Sequence, residues 1–213
     1  MAEETPISSR VAELLLEAKA IKLSPEKPFQ WSSGWFSPIY CDNRVALSFP
    51  DTRTFIKKAL ADLIKSEYPD VDAVVGVATG GIAQGALVAD VLELPFAYVR
   101  PEPKKHGMGN QIEGRLEKGQ SVIIVEDLIS TGGSSLKVVD ALRNAGIEVA
   151  GMVAIFTYGF KVAEDNFKEK DVKLSVLSNY DALISTAVEH EYVTSEQVEN
   201  LSEWRVQPDE WGK

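Results

Sequence analysis

The sequence predicts an open α/β fold, a central parallel sheet flanked by helices with a small N-terminal subdomain before it. Strand-like and helix-like segments alternate at least four times along the chain, as in a parallel sheet built through right-handed crossovers. Residues 122–125, Val-Ile-Ile-Val, form an unbroken β-branched run suited to a strand buried on both faces. Two Gly-rich turns, at residues 78–81 and 130–135, each follow a strand and lead into a helical period.

Each element has its own signal. Pro6 introduces a helix over residues 7–20, with Ile7, Val11, Leu14, Leu15 and Ala18 on one face. Residues 20–23 and 39–41 suit short strands around a proline-rich loop, and this front section lies outside the later alternation. That break separates a front section of about residues 1–48 from a core of about 49–190, with a C-terminal extension of 191–213. In the core, Phe55, Ile56, Ala59, Leu60, Leu63 and Ile64 mark a helix over 51–65, followed by a strand at 71–77 and a helix at 82–92. A strand at 95–100 precedes residues 101–119, which show neither period. The run at 122–125 ends at Glu126 and Asp127, and Leu136, Val139 and Leu142 begin a helix that Gly146 stops. Strands at 149–157 and 172–177 alternate with helices at 160–168 and 180–190, and 194–204 suits a last helix. Trp204 and Trp211 are expected to dock on the body or on a partner subunit.

Composition narrows the function. With 213 residues the chain suits one domain with a real core, and 45% hydrophobic and 25% charged residues are those of an ordinary globular protein. A net charge of -10 disfavours nucleic acid and anionic membranes, so anionic substrates must be captured by local positive charge. Cys41 is the single cysteine, which excludes an intrachain disulfide and a cysteine-only metal cluster. No apolar run approaches the roughly 18 residues of a membrane span, and no secretory signal is evident. A cytoplasmic location is expected.

The chemistry concentrates in residues 121–136. Glycines and hydroxyls before a helix let backbone amides and the helix dipole meet an anion, so Ser130, Thr131, Gly132, Gly133, Ser134 and Ser135 suit a phosphate. Two carboxylates would repel that phosphate and suit sugar hydroxyls, a cation or a developing positive charge instead. A helix cap beside two solvated acids accounts for the same residues without a ligand. Residues 101–119 carry Lys104, Lys105 and His106 beside Gly107 and Gly109, a basic arm suited to clamping an anion. The front-section aromatics Phe29, Trp31, Trp35, Phe36 and Tyr40 could stack a planar base or fill the small subdomain's own core.

The stretch VIIVEDLISTGGSS resembles the phosphoribosyl-pyrophosphate (PRPP) motif of the type I phosphoribosyltransferases. Further likeness, to the orotate-using members, runs through Phe-Gln-Trp-Ser-Ser-Gly from Phe29, Ser-Pro-Ile-Tyr-Cys-Asp-Asn-Arg ending at Arg44, Gly-Val-Ala-Thr-Gly ending at Gly80, Lys-x-His-Gly from Lys104, and Ile-Phe-Thr-Tyr-Gly ending at Gly159. The resemblance implies the type I phosphoribosyltransferase fold, with the front section of about residues 1–48 as a hood over the base, and transfer of phosphoribosyl from PRPP to orotate in UMP biosynthesis. It implies PRPP contacts at Thr79, Gly80, Arg100, Lys104, His106, Glu126, Asp127, Leu128, Ile129, Ser130, Thr131, Gly132, Gly133 and Ser134. Lys104, His106 and Asp127 would be catalytic, and Phe36, Arg44 and Ser130 would meet orotate. It further implies Mg2+ held mainly through PRPP, and a homodimer whose basic loop completes the neighbouring site. Ser32, Trp35 and Phe36 stand where relatives usually carry hood lysines, Pro101 replaces another lysine, and Gly159 to Lys161 stand near a relative's base-contacting arginine. A purine or uracil transferase and a PRPP-binding regulator remain open on the residues alone.

Overall fold

The computed structural model of the chain describes residues 5–31, 34–100, 102 and 111–211. Helix α1 (Ile7–Glu17) buries Val11, Ala12, Leu14, Leu15 and Leu16 along one face. Four short strands follow: β1 (Ile21–Leu23), β2 (Phe29–Gln30), β3 (Phe36–Ser37) and β4 (Ile39–Cys41). They make two antiparallel pairs, β1 with β4 and β2 with β3. The inner pair was not legible as strands, because two residues cannot display a period. A 3-10 turn, Asn43–Ser48, then leads into α2 (Pro50–Glu67).

The core alternates as expected: β5 (Ala73–Val77), α3 (Gly80–Leu92), β6 (Phe96–Val99), β7 (Ile112–Glu113), β8 (Ser121–Ile129), α4 (Gly133–Asn144), β9 (Glu148–Thr157), α5 (Lys161–Glu169), β10 (Leu174–Asn179), α6 (Tyr180–Glu189) and α7 (Ser195–Val206). Its six strands lie in the order β10-β9-β8-β5-β6-β7, parallel except for β7. β7 pairs antiparallel with β6 inside the segment that shows no period, again as a two-residue strand.

Alternation along β8 divides the core. Ile123 and Val125 join the cluster holding α1, α2, α3 and α6, while Val122 and Ile124 join the one holding α4 and α5. Chain order puts α1 with the hood, but its apolar face needs a large partner and lies against β10 and α6. The hydroxyl of Ser178 on β10 donates to the carbonyl of Ser8 at 2.8 Å. The chain steps from β5 outward to β6 and returns past β5 to β8. The crevice between the carboxyl ends of β5 and β8 is therefore the sheet's switch point, where open α/β sheets bind ligands.

Candidate active site

Strand β8 does not stop at its acids, as the broken apolar run suggested, but continues through Ile129. Glu126 and Asp127 consequently leave the strand from opposite faces. Glu126 has the parity of Ile124 and meets α4, where the Ser135 hydroxyl donates to its Oε2 at 2.8 Å. Asp127 has the parity of Val125 and meets α3. There a Cβ built on Gly80 would lie 2.2 Å from the Asp127 Oδ2, and one on Gly81 would lie 2.4 Å from the Val125 carbonyl oxygen. Two consecutive glycines are thus the condition for seating the start of α3 against the end of β8.

Beyond the strand, Gly132 takes φ 78° as the N-cap of α4, a left-handed angle that a glycine adopts without strain. Among the described residues no side chain caps this helix start, so its first amides remain turned toward the loop. Asn166 on α5 fixes that loop by donating to the Thr131 carbonyl at 2.9 Å. Together these segments line a cavity of about 470 Å3 that includes Thr79, Gly80, Glu126, Asp127, Ser130, Thr131, Gly132 and Ser134. Its donors are amides and hydroxyls at a helix start, and its acids stand to one side. A phosphorylated sugar has the matching two ends.

Burial pushes both carboxyls up. Glu126 is raised well above the usual range, and the charge of Asp127 adds to its burial. On Asp127 the neighbouring Glu126 and the charge of Arg44 pull against burial, so of the two carboxyls Glu126 is raised the more. A carboxyl whose folded value is raised contributes its stability below the unfolded value and loses it as pH rises through the folded one. Glu126→Gln is therefore expected to melt higher than the parent at pH 7, by at least about 2–4 °C, the shift of roughly 1 kcal/mol in a chain this size. The gain should vanish below about pH 4, where the unfolded glutamate is itself protonated. The amide oxygen can keep the bond from the Asp127 N–H, and the Ser135 hydroxyl can turn to accept. Melting curves at both pH values check this, and equal shifts at both would contradict it.

A second cavity of about 540 Å3 adjoins the first, sharing Cys41, Leu128, Ser130 and Thr131 with it. Its remaining walls are Gln30, Trp31, Trp35, Tyr40 and Tyr158. Trp31 and Tyr158 meet with ring centroids 5.3 Å apart, and burial pushes the Tyr158 phenol well up, so it stays neutral. Such a slot accepts a planar ring. The hood is tied to the acid strand by Asn43, whose amide donates to the Asp127 carbonyl at 2.6 Å. Burial, with Asp127 nearby, also pushes the Cys41 thiol up, which keeps it from serving as a thiolate nucleophile.

The remaining expected residues divide. Arg44 lines the first cavity, held by two hydrogen bonds to Asp42 at 2.6 and 2.9 Å. Leu128 lines both cavities, whereas Ile129 is fully buried in the core and its carbonyl accepts from the Tyr158 N–H and the Thr157 hydroxyl. Gly133 is the first residue of α4 and is absent from the lining of both cavities. Phe36 lines neither cavity: its side chain is partly exposed, and its neighbour Trp35 takes the wall position. Arg100 directly follows β6 at the same edge of the sheet, and its guanidinium lies 3.6 Å from Glu113. Lys104 and His106 lie outside the described residues. Sequence reasoning missed Asn43, Gln30 and Tyr158 as site residues. Tyr158 alone had a usable signal, its place just past a strand's carboxyl end.

A phosphate cradle at a switch point, an acid beside it and an aromatic slot joined to both define a protein that acts on phosphorylated sugars carrying a ring. A phosphoribosyl transferase domain matches residues 52–191. The orotate phosphoribosyltransferase of Cytophaga hutchinsonii is 56% identical over 206 residues, covering 97% of this chain and 99% of that protein. Its counterpart from Porphyromonas gingivalis is 55% identical over 202 residues, 95% of this chain and 96% of that one. Among solved structures, orotate phosphoribosyltransferase from Aeropyrum pernix superposes with a TM-score of 0.74 at 29% identity, over 86% of this chain and 99% of that one. The chain belongs to the orotate phosphoribosyltransferase family of type I phosphoribosyltransferases.

Proposed function

We propose that the protein transfers the phosphoribosyl group of PRPP to orotate, giving orotidine 5'-monophosphate and pyrophosphate in de novo UMP biosynthesis. The observation that carries this is the junction of the two cavities at Leu128, Ser130 and Thr131, one built for a phosphorylated sugar and one for a planar ring. A ribose held on Asp127 with its 5'-phosphate on the amides and hydroxyls of residues 130–134 would point its anomeric carbon at the aromatic slot.

Positioning and electrostatics would then carry the reaction. The bond from the anomeric carbon to the pyrophosphate oxygen breaks, with its electron pair leaving on pyrophosphate. A ring nitrogen of orotate bonds to that carbon and gives up its proton, which the departing pyrophosphate takes up. Asp127, the more readily ionised member of its pair, favours the positive charge that develops on the sugar. The Thr79-Gly80 turn, Arg100, Lys104 and His106 would hold the pyrophosphate, and Arg44 and Ser130 would meet the base. Among the described residues no group of three or more His, Cys, Asp or Glu side chains is gathered for a metal. One carboxylate beside a site for phosphate oxygens nevertheless fits Mg2+ held mainly through PRPP. Bound there, the ion would neutralise charge on the leaving pyrophosphate.

A homodimer in which residues 101–119 complete the neighbouring site belongs to the same reading, as does a cytoplasmic location. Among the described residues no helix is long and apolar enough to cross a membrane. Steady-state turnover of orotate, with uracil, adenine and hypoxanthine in parallel, tests the proposal. Mg2+-dependent consumption of orotate alone is expected, and consumption of another base instead would overturn the base assignment.

A further inference from the structure

We propose that α7 sets the shape of the base cavity, with Trp204 as its positioning residue. The inference rests on the orotate reading above and assigns a role to the C-terminal extension.

Trp204 is fully buried, yet its surroundings come from three separate parts of the chain. Its ring meets Trp31 of the hood edge-on at 5.7 Å, and Tyr158 and Phe160, just past β9, at 5.5 and 5.4 Å. Its indole N–H donates to the Phe36 carbonyl in the hood hairpin at 3.1 Å. Trp31 and Tyr158 are the walls of the aromatic cavity, so Trp204 stands behind both. Gln197 gives α7 a second hold on the hood, donating to Glu26 at 3.3 Å. The other side of the helix is fixed to α6. Arg205 pairs with Asp181 and lies over the Tyr180 ring at 5.2 Å, and the Tyr180 hydroxyl donates to the Leu201 carbonyl. A short hairpin of two-residue strands has little stability of its own. The helix ties that hairpin to the rigid core.

None of the residues that Trp204 meets by ring or hydrogen bond lines the sugar-phosphate cavity. Loosening it should therefore weaken the hold on the base and spare PRPP. Trp204→Phe keeps most of the ring packing and removes the donor; Trp204→Ala removes both. KM for orotate, KM for PRPP, kcat and melting temperature would be measured for each. For Trp204→Phe the orotate KM is expected to rise about 3- to 10-fold, the order of one lost hydrogen bond, with kcat and the PRPP KM within about 2-fold. Trp204→Ala should raise the orotate KM further, where it folds. Equal rises in both KM values, or a lower melting temperature with the orotate KM of Trp204→Phe unchanged, would reduce the residue to a structural one and overturn the inference alone. A parent protein that turns over no orotate would overturn the functional reading and this inference with it.

Discussion

Gly80→Ala is expected to lower kcat/KM by about two orders of magnitude or more while leaving a folded protein. The added methyl would sit 2.2–2.4 Å from the carboxyl atoms of Asp127, far inside contact distance. What must give way is the Asp127 carboxyl, the group to which the proposed reaction assigns the developing charge. Displacement of a reacting group by about 1 Å costs on the order of 100-fold. Alanine suits the first turn of α3 as well as glycine does, so the helix itself loses nothing. The neighbouring position separates function from stability. At Gly81 the obstacle is the Val125 carbonyl, a backbone atom of β8, so a methyl there would force the helix off the sheet. Kinetics and thermal melts of Gly80→Ala check the expectation, and parental kcat/KM would show that the carboxylate's position is immaterial.

Asp127→Asn should lower kcat by about 100- to 1,000-fold, the range for removing one preorganised group that stabilises transition-state charge. Asparagine keeps the shape and the backbone carbonyl that accepts from Asn43, so the hood stays tied to β8. The melting temperature should hold or rise, because burial already works against the charge at this position. Circular dichroism and single-turnover kinetics distinguish the outcomes. Unchanged single-turnover rates would remove Asp127 from the chemistry.

The core was legible because its elements are long enough to show a period: residues 51–65 repeat at helical spacing, and residues 122–125 admit only a doubly buried strand. The turn at residues 130–135 was legible as a strand-to-helix connection because glycines and hydroxyls punctuate two periodic segments, while the same residues also suit plain helix capping. The end of β8 misled for a physical reason. A strand that passes from the core to a ligand cavity must exchange apolar side chains for polar ones, so the apolar run ends before the strand does. The hood hairpin and β7 were hidden by their two-residue length. Asn43 and Trp204 act on partners 84 and 168 residues away, distances at which single-sequence periodicity carries no information. Phe36 and Trp35 show the same limit at short range: either could have lined the aromatic cavity, and only the packing puts Trp35 on its wall.

The most direct measurement mixes the purified protein with PRPP, Mg2+ and orotate and quantifies nucleotide and pyrophosphate together. If the adjoining cavities form one site for phosphoribosyl transfer, orotidine 5'-monophosphate and pyrophosphate accumulate in equal amounts, and omission of Mg2+ suppresses both. Pyrophosphate released without nucleotide, or PRPP left intact while orotate is present, would contradict it.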